Sequence, residues 1–361
     1  MVNSNLTNAK KAKNDEFYTQ YNDIEKEVNV YLEYNPEVFK DKVILLPCDD
    51  PEWSNFTKFF SQNFERLGIK KLISTSFASD SKTFKSDYTP TLFETQSDMY
   101  DKSKTNTKGK IFILDRDRNA DKKINVQDIH FDRYLELDGD FRSEEIKKLR
   151  DEADIIITNP PFSLFREFLN WIVAADKKFL IIGNMNAITY KEVFPLIKNN
   201  KMWIGNGFSA GNAYFSTPFV GDYAEGVYNP ETGLVKFRNC CWFTNMDHGR
   251  RHQKLPLMTM EDNLKYSKHK DIKGRDSYDK YDNYDAIEIP FTDSIPSDYN
   301  GVMGVPISFL DKYSPEQFDI VGGTANGQVP DEHKIGNFRT YNNPISNNIK
   351  IYQRILIRHK R

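Results

Sequence analysis

Four consecutive residues, Asn159-Pro160-Pro161-Phe162, put an amide, two rigid imino acids and an aromatic ring at the end of the apolar run Ile155-Ile156-Ile157. Each residue type has a chemical use here. An exocyclic amino group on a nucleobase is a poor nucleophile, because its lone pair is delocalised into the ring. To accept a methyl group it must pyramidalise. The Asn159 side-chain oxygen and the Pro160 carbonyl offer two acceptors for that amine's hydrogens. Two such acceptors turn the lone pair toward an electrophile and stabilise positive charge developing on nitrogen. The prolines fix φ, so the acceptors are pre-organised. Phe162 offers a face on which the base can stack. A base paired inside a duplex cannot reach such a loop and must be extruded, at a cost of about a few kcal/mol. Without that chemistry, the same residues read as a strand-ending Pro-Pro turn with a capping asparagine.

The elements that must hold this loop are legible as alternating patterns. Short β-branched or aliphatic runs at 43–47, 70–77, 111–114, 134–137, 154–158 and 179–183 predict strands. Helical spacing marks 17–34, 53–64, a segment from about residue 143, 163–175 and 189–200. Strands alternating with helices predict an α/β fold, with a mostly parallel sheet covered on both faces. In an open parallel sheet ligands bind at the carboxyl ends of the strands, and residues 159–162 fall at such an end.

Composition narrows the class. The chain has 361 residues, 39% hydrophobic and 28% charged, as in an ordinary soluble domain or pair of domains. No apolar run approaches the ~20 residues of a membrane span, and the polar N-terminus has no secretory h-region. Three cysteines, Cys48, Cys240 and Cys241, form neither a C-x-x-C pair nor a disulfide framework, which fits a reducing cytoplasm. The net charge of −2 means that any nucleic acid must be met by local basic patches. Residues 1–15 read as a disordered start, 16–254 as the main domain and 255–361 as a smaller second region. The tyrosine- and charge-rich stretch 265–285 reads as a mobile loop or linker.

Beyond the Asn-Pro-Pro-Phe loop, six segments in order carry a family resemblance. They are NDEFYTQYNDIEKEV, VILLPCDDPEWSNFTKFF, LDGDFRSEEI, DIIITNPPFSLFREFL, FLIIGNMNAITYKEVFPLI and FRNCCWFTN. Together they resemble the EcoRI-type adenine-specific DNA methyltransferases. The resemblance implies a Rossmann-like fold with a seven-stranded, mostly parallel sheet that uses S-adenosylmethionine. It implies transfer of a methyl group to adenine N6 in a short site of double-stranded DNA, with residues 16–254 as the catalytic domain and 255–361 for target recognition. Asn159, Pro160, Pro161 and Phe162 then match the catalytic motif. Pro47, Cys48 and Asp49 match the cofactor motif after the first strand. Asp140 and Phe141 match a pair that holds the cofactor adenine, and Phe17, Tyr18 and Thr19 match an element over its methionine end. Phe165 is implied as a pocket wall, and Trp242 and Phe243 as aromatics near the extruded base. Where the common pattern has glycines after the first strand, Asp49-Asp50-Pro51-Glu52 stands instead, as in the EcoRI-type branch. The usual ribose-binding acid is missing after LISTSF, leaving Ser74, Thr75 and Ser76 as candidates. A monomer is implied, with a cognate restriction endonuclease as a genetic rather than physical partner. A relative acting on RNA or on a protein glutamine, or one that binds DNA without catalysis, is the alternative.

Other motifs are weaker. Pro47-Cys48 is compatible with covalent cytosine chemistry, but that reaction does not need Asn-Pro-Pro-Phe. Residues 117–128 follow the spacing of a calcium loop, but Lys122 replaces the turn glycine and Asp128 the terminal glutamate. The plainer reading is a solvated turn, and methyl transfer itself needs no metal. Gly205, Gly207 and Gly211 lack the phosphate-loop pattern and read as a flexible loop. Arg250 and Arg251, just after Trp242-Phe243, are candidate DNA contacts together with Lys254. The basic tail, Arg354 to Arg361, is a further candidate for phosphates.

Overall fold

Val43–Leu46 (β2) is buried at all four positions, the pattern of a strand covered on both faces. The computed structural model that shows this describes residues 17–360 except 48, 50, 52–53, 79–91, 209–210, 218–222, 224 and 337–342. Ahead of β2 come Tyr18–Thr19 (β1) and Tyr21–Tyr34 (α1). After it follow Asn55–Gln62 (α2), Lys71–Ser76 (β3), Lys110–Leu114 (β4), His130–Tyr134 (β5), Glu144–Glu152 (α3), Ile155–Thr158 (β6), Phe165–Val173 (α4) and Lys178–Asn184 (β7). The set closes with Asn212–Ser216 (β8), Tyr228–Asn229 (β9), Leu234–Arg238 (β10) and Cys240–Thr244 (β11). The chain divides into two compact units. The first is formed by residues up to 184 together with 205–246, the second by 185–204 and 247–361.

Within the first unit the strands of the main sheet run β5-β4-β3-β2-β6-β7-β11. β3, β2, β6 and β7 are parallel, while β4 and β11 run against their neighbours. The fold is therefore α/β with a mixed sheet. The sequence supplies the reason: a parallel pair needs a crossover of a dozen or more residues, usually helical. α2, α3 and α4 lie on the connections that join the parallel members. The only helix described between β3 and β4 is the four-residue Leu92–Thr95. Helix starts follow local chemistry. The Ser54 hydroxyl accepts from Phe56 and Thr57 N–H at the head of α2, and Ser143 accepts from Ile146 N–H at the head of α3.

A second, smaller sheet, β1-β8-β10-β9, is antiparallel throughout. Its alternation is strict: Ala213, Phe215, Val235 and Phe237 turn into the core, while Tyr214 and Arg238 stay exposed. Two expectations shift here. The helix expected over 17–34 starts only at Tyr21, because Tyr18 and Thr19 pair with Ser216 and Phe215. The strand expected at 134–137 lies at 130–134, and the chain then turns through Gly139 at φ +91°, where a side chain would collide with the Ser76 carbonyl.

The second unit holds Met260–Tyr266 (α5) and the strands Ile287–Glu288 (β12), Met303–Pro306 (β13), Phe318–Gly323 (β14) and Arg354–His359 (β15), in the order β12-β13-β15-β14. The stretch expected to be a linker is part of its core. Tyr278, Tyr281 and Tyr284 are buried, and Tyr281 and Tyr284 cluster with Val329 and Leu356. A buried tyrosine needs a partner for its hydroxyl; Tyr278 donates to the Ser294 carbonyl at 2.7 Å and Tyr281 to Glu288. The basic tail is likewise an inner strand of this sheet.

Candidate active site

At β2 the strand order changes direction: β3 pairs on one side and β6 on the other. Such a switch point opens a crevice beyond the carboxyl ends of the strands. Pro47 and Asp49 leave β2 there, and Thr158 and Asn159 leave β6. The two exits are tied together. Thr158 Oγ1 donates to Asp49 Oδ2 at 2.7 Å and lies 3.0 Å from the Pro47 carbonyl. Ser54 Oγ donates to the other carboxylate oxygen at 2.7 Å. Thr57 Oγ1 lies 3.1 Å from the Asp49 carbonyl and 3.1 Å from Ser74 Oγ, which also donates to that carbonyl. Asp49 is thus a buried brace that joins β2, α2, β3 and β6.

Asn159 sits one residue beyond this brace. Its Nδ2 donates to the Phe17 carbonyl at 2.7 Å, while Oδ1 is buried and has no partner. Phe162, partly exposed, opens a short 3-10 turn that runs into α4. Its ring lies 6.3 Å from Phe17 at 26°, 5.8 Å from Phe237 and 6.2 Å from Phe215. The small sheet therefore walls the loop with its inward phenylalanines. Phe215 and Phe237 were not among the sequence candidates. Their signal was the period-two alternation in NAYFS and LVKFR, which marks inward positions but not what they face.

Other candidates fall as follows. Phe165 is buried against Gly183 and lies 5.1 Å from Phe243. Trp242 and Phe243 are 0% exposed in the middle of β11, with Trp242 against Phe56 and Phe208. Phe141 is 3% exposed between Phe168 and Trp171. Asp140 is forked by Arg142, whose Nε and Nη2 donate at 2.9 and 2.6 Å, and these bonds hold its carboxyl below the usual range. The loop that carries this pair reaches the same edge of the sheet, since Ala78 N–H donates to the Asp138 carbonyl at 2.7 Å. Two hydroxyls of the candidate segments are buried without partners: Ser76 Oγ at the end of β3 and Thr19 Oγ1 on β1.

Cys48 lies outside the described residues. Cys240 and Cys241 are free and buried, and burial pushes the Cys240 thiol up to about 12, so it stays protonated at neutral pH. Arg250 and Arg251 belong to the second unit, on the turn Gly249–His252. Arg251 is 6% exposed, pairs with Asp247 at 3.3 Å and lies 3.8 Å over the Trp203 ring. The loop 205–207 is anchored: Asn206 and Gly207 N–H donate to the buried Glu27 at 2.9 and 3.0 Å. In residues 117–128 the carboxylates accept backbone N–H groups, Asp117 from Ala120 and Lys122, and Asp128 from Arg118 and Asn125.

At its switch point this α/β sheet presents a buried amide oxygen without a partner beside an aromatic face, and the known proteins that resemble the chain say which class of enzyme carries it. The family model for the adenine-specific methyltransferase EcoRI matches residues 5–360. The type II methyltransferase M.EcoRI of Escherichia coli is 43% identical over 324 residues, covering 89% of each chain. M.MgeORF184P of Mycoplasma genitalium is 34% identical, with 88% of this chain and 86% of its own covered. M.MpnI of Mycoplasma pneumoniae is 31% identical, with 88% and 85% covered. No solved structure gives a significant match. The chain belongs to the EcoRI family of adenine-specific methyltransferases, and its activity is site-specific DNA adenine-N6 methylation. Among the described residues no helix is long and apolar enough to cross a membrane.

Proposed function

We propose that the first unit is a Rossmann-like catalytic domain that uses S-adenosylmethionine to methylate an adenine flipped out of duplex DNA. The observation that carries this reading is the buried, unpartnered Asn159 Oδ1 at the switch point. When bound, the cofactor supplies an electrophilic methyl group on a sulfonium. The residues at the edge fit a polar ligand of that kind. The Ser76 and Thr19 hydroxyls, 5% and 2% exposed, lack partners. Asp140 accepts the Arg142 backbone N–H and Nε on Oδ1 and Nη2 on Oδ2, which keeps acceptor capacity on Oδ2, and Pro47 and Asp49 follow β2 at the switch point. Thr19 is assigned to the methionine end, and Ser76 and Asp140 to the nucleoside.

The chain's own contribution to transfer is positional and electrostatic. Asn159 Oδ1 and the Pro160 carbonyl accept the two amine hydrogens, and their partial charges stabilise the developing cation. Phe162 stacks on the adenine, and the Phe17, Phe215 and Phe237 rings around it exclude water. The surplus proton leaves to solvent, so no strong base is needed. The second unit is assigned to target recognition, where phosphate contacts set the salt dependence and base-edge contacts set the sequence. A cognate restriction endonuclease, if one accompanies the protein, is a genetic partner.

Asn159→Ala is expected to lower methylation of DNA adenine by at least about a hundredfold, with S-adenosylmethionine affinity held within about threefold. Labelled cofactor offered to DNA, RNA and protein in parallel, with calorimetry for binding, is the test. A variant that methylates DNA at the parental rate overturns the role of Asn159, and label in RNA or protein alone overturns the substrate.

A further inference from the structure

The Asn159 amide has a donor end and an acceptor end, and only one of them suits a carbonyl. Phe17 O can only accept, so its 2.7 Å contact fixes Nδ2 toward β1. The same contact leaves Oδ1 buried and unsatisfied, a cost that a donor from a ligand removes. The segment that carries this carbonyl is held on several sides. Tyr18 and Thr19 pair with Ser216 and Phe215. Asn55 Nδ2 donates to the Thr19 carbonyl at 2.7 Å, which ties β1 to the head of α2. The Phe17 ring is buried 4.6 Å from Phe237, edge to face.

We infer that the Phe17 backbone carbonyl is a positioning group for the transfer: by accepting Asn159 Nδ2 it selects the amide orientation that presents Oδ1 to the adenine amine. Phe17, just ahead of β1 and far outside the motif, thereby decides which atom of the motif does the work. This inference rests on the reading of Asn159 as an amine acceptor.

The sign of a pH response separates the two cases. In Asn159→Asp, an ionised carboxylate is a good acceptor for the amine but is repelled by the Phe17 carbonyl. A protonated carboxyl donates to that carbonyl and keeps its other oxygen for the amine. If the carbonyl positions residue 159, the kcat of Asn159→Asp rises as pH falls from about 8.5 to about 5.5, by up to about tenfold per unit. The parent protein lacks that limb. If the carbonyl plays no part, the variant's kcat is flat or rises with pH, and the inference fails.

A second variant keeps the test clear of residue 159. Asn55→Ala releases the Thr19 carbonyl and loosens β1 without touching the loop. Measured at saturating S-adenosylmethionine, because Thr19 is also assigned to the cofactor, it is expected to lower kcat about five- to twentyfold, with the KM for DNA within about threefold. Parental kcat in that variant also overturns the inference. A parent protein that does not methylate DNA adenine would overturn the underlying reading, whereas a methylating parent with the wrong pH sign in Asn159→Asp overturns the positioning role alone.

Discussion

A methyl group added at Gly183, near the carboxyl end of β7, would overlap the Phe165 ring at the head of α4. α4 starts directly after the Asn-Pro-Pro-Phe loop, so the strand's missing side chain decides how closely that loop approaches the sheet. Gly183→Ala is expected to destabilise by about 1–3 kcal/mol through overpacking, and Phe165→Leu in the same chain should recover part of that loss. Thermal melts of the two single variants and the double variant measure the coupling, and additive losses would show that the ring and the glycine do not meet. Residue types alone made Asn159 and Phe162 legible, because an amide and an aromatic after a strand have few chemical uses. Asp49 was legible only as a candidate. Its bracing role depends on hydroxyls at 54, 57, 74 and 158, whose convergence on one carboxylate and its carbonyl belongs to the fold rather than to any local pattern.

Elements with their own periodicity were read well and elements defined by distant partners were not. β2, β3, β6 and β7 each carry an apolar run flanked by turn residues, and each stands where the sequence placed it. β1 has two residues and no period. It exists because Ser216 and Phe215, about two hundred positions later, pair with it. The loop at 205–207 shows the same limit. Its glycines suggest flexibility, but a Cβ at Gly205 would run into Glu27 and Trp242, and Glu27 on α1 accepts both following N–H groups and the Tyr31 hydroxyl at 2.9 Å. Glu27→Ala leaves those N–H groups without their acceptor and opens space under the loop. We expect a loss of about 1–3 kcal/mol and faster amide exchange at Asn206 and Gly207, read by hydrogen–deuterium exchange. Unchanged protection there would mean that the carboxylate is not what holds the loop.

Across the whole molecule the balance of charge, −2 in net, leaves DNA binding to cations that the fold keeps available. Clusters of basic letters are a poor guide to those cations. Among the described residues of the basic tail only Arg354 is taken up by a buried pair, to Glu288 at 2.6 Å, while Arg358, 3.6 Å from Asp319, and Lys360 stay exposed. Arg251 is the clearest case. It is buried, stacked on Trp203, paired with Asp247 and bonded to Asn200. Asp247 is 39% exposed and keeps His252 at 2.9 Å, so the loss on removing Arg251 comes from its own buried stacking and hydrogen bonds, about 1–3 kcal/mol. A lysine cannot restore the planar stacking or the forked donors. A phosphate contact would show itself differently, since each one contributes about one unit to the slope of log affinity against log salt. Arg251→Ala and Arg251→Lys are therefore both expected to lower the melting temperature, the alanine form by several degrees. The salt slope of DNA binding by the folded protein should stay at the parental value. A slope reduced by about one unit with stability intact would return Arg251 to the DNA surface.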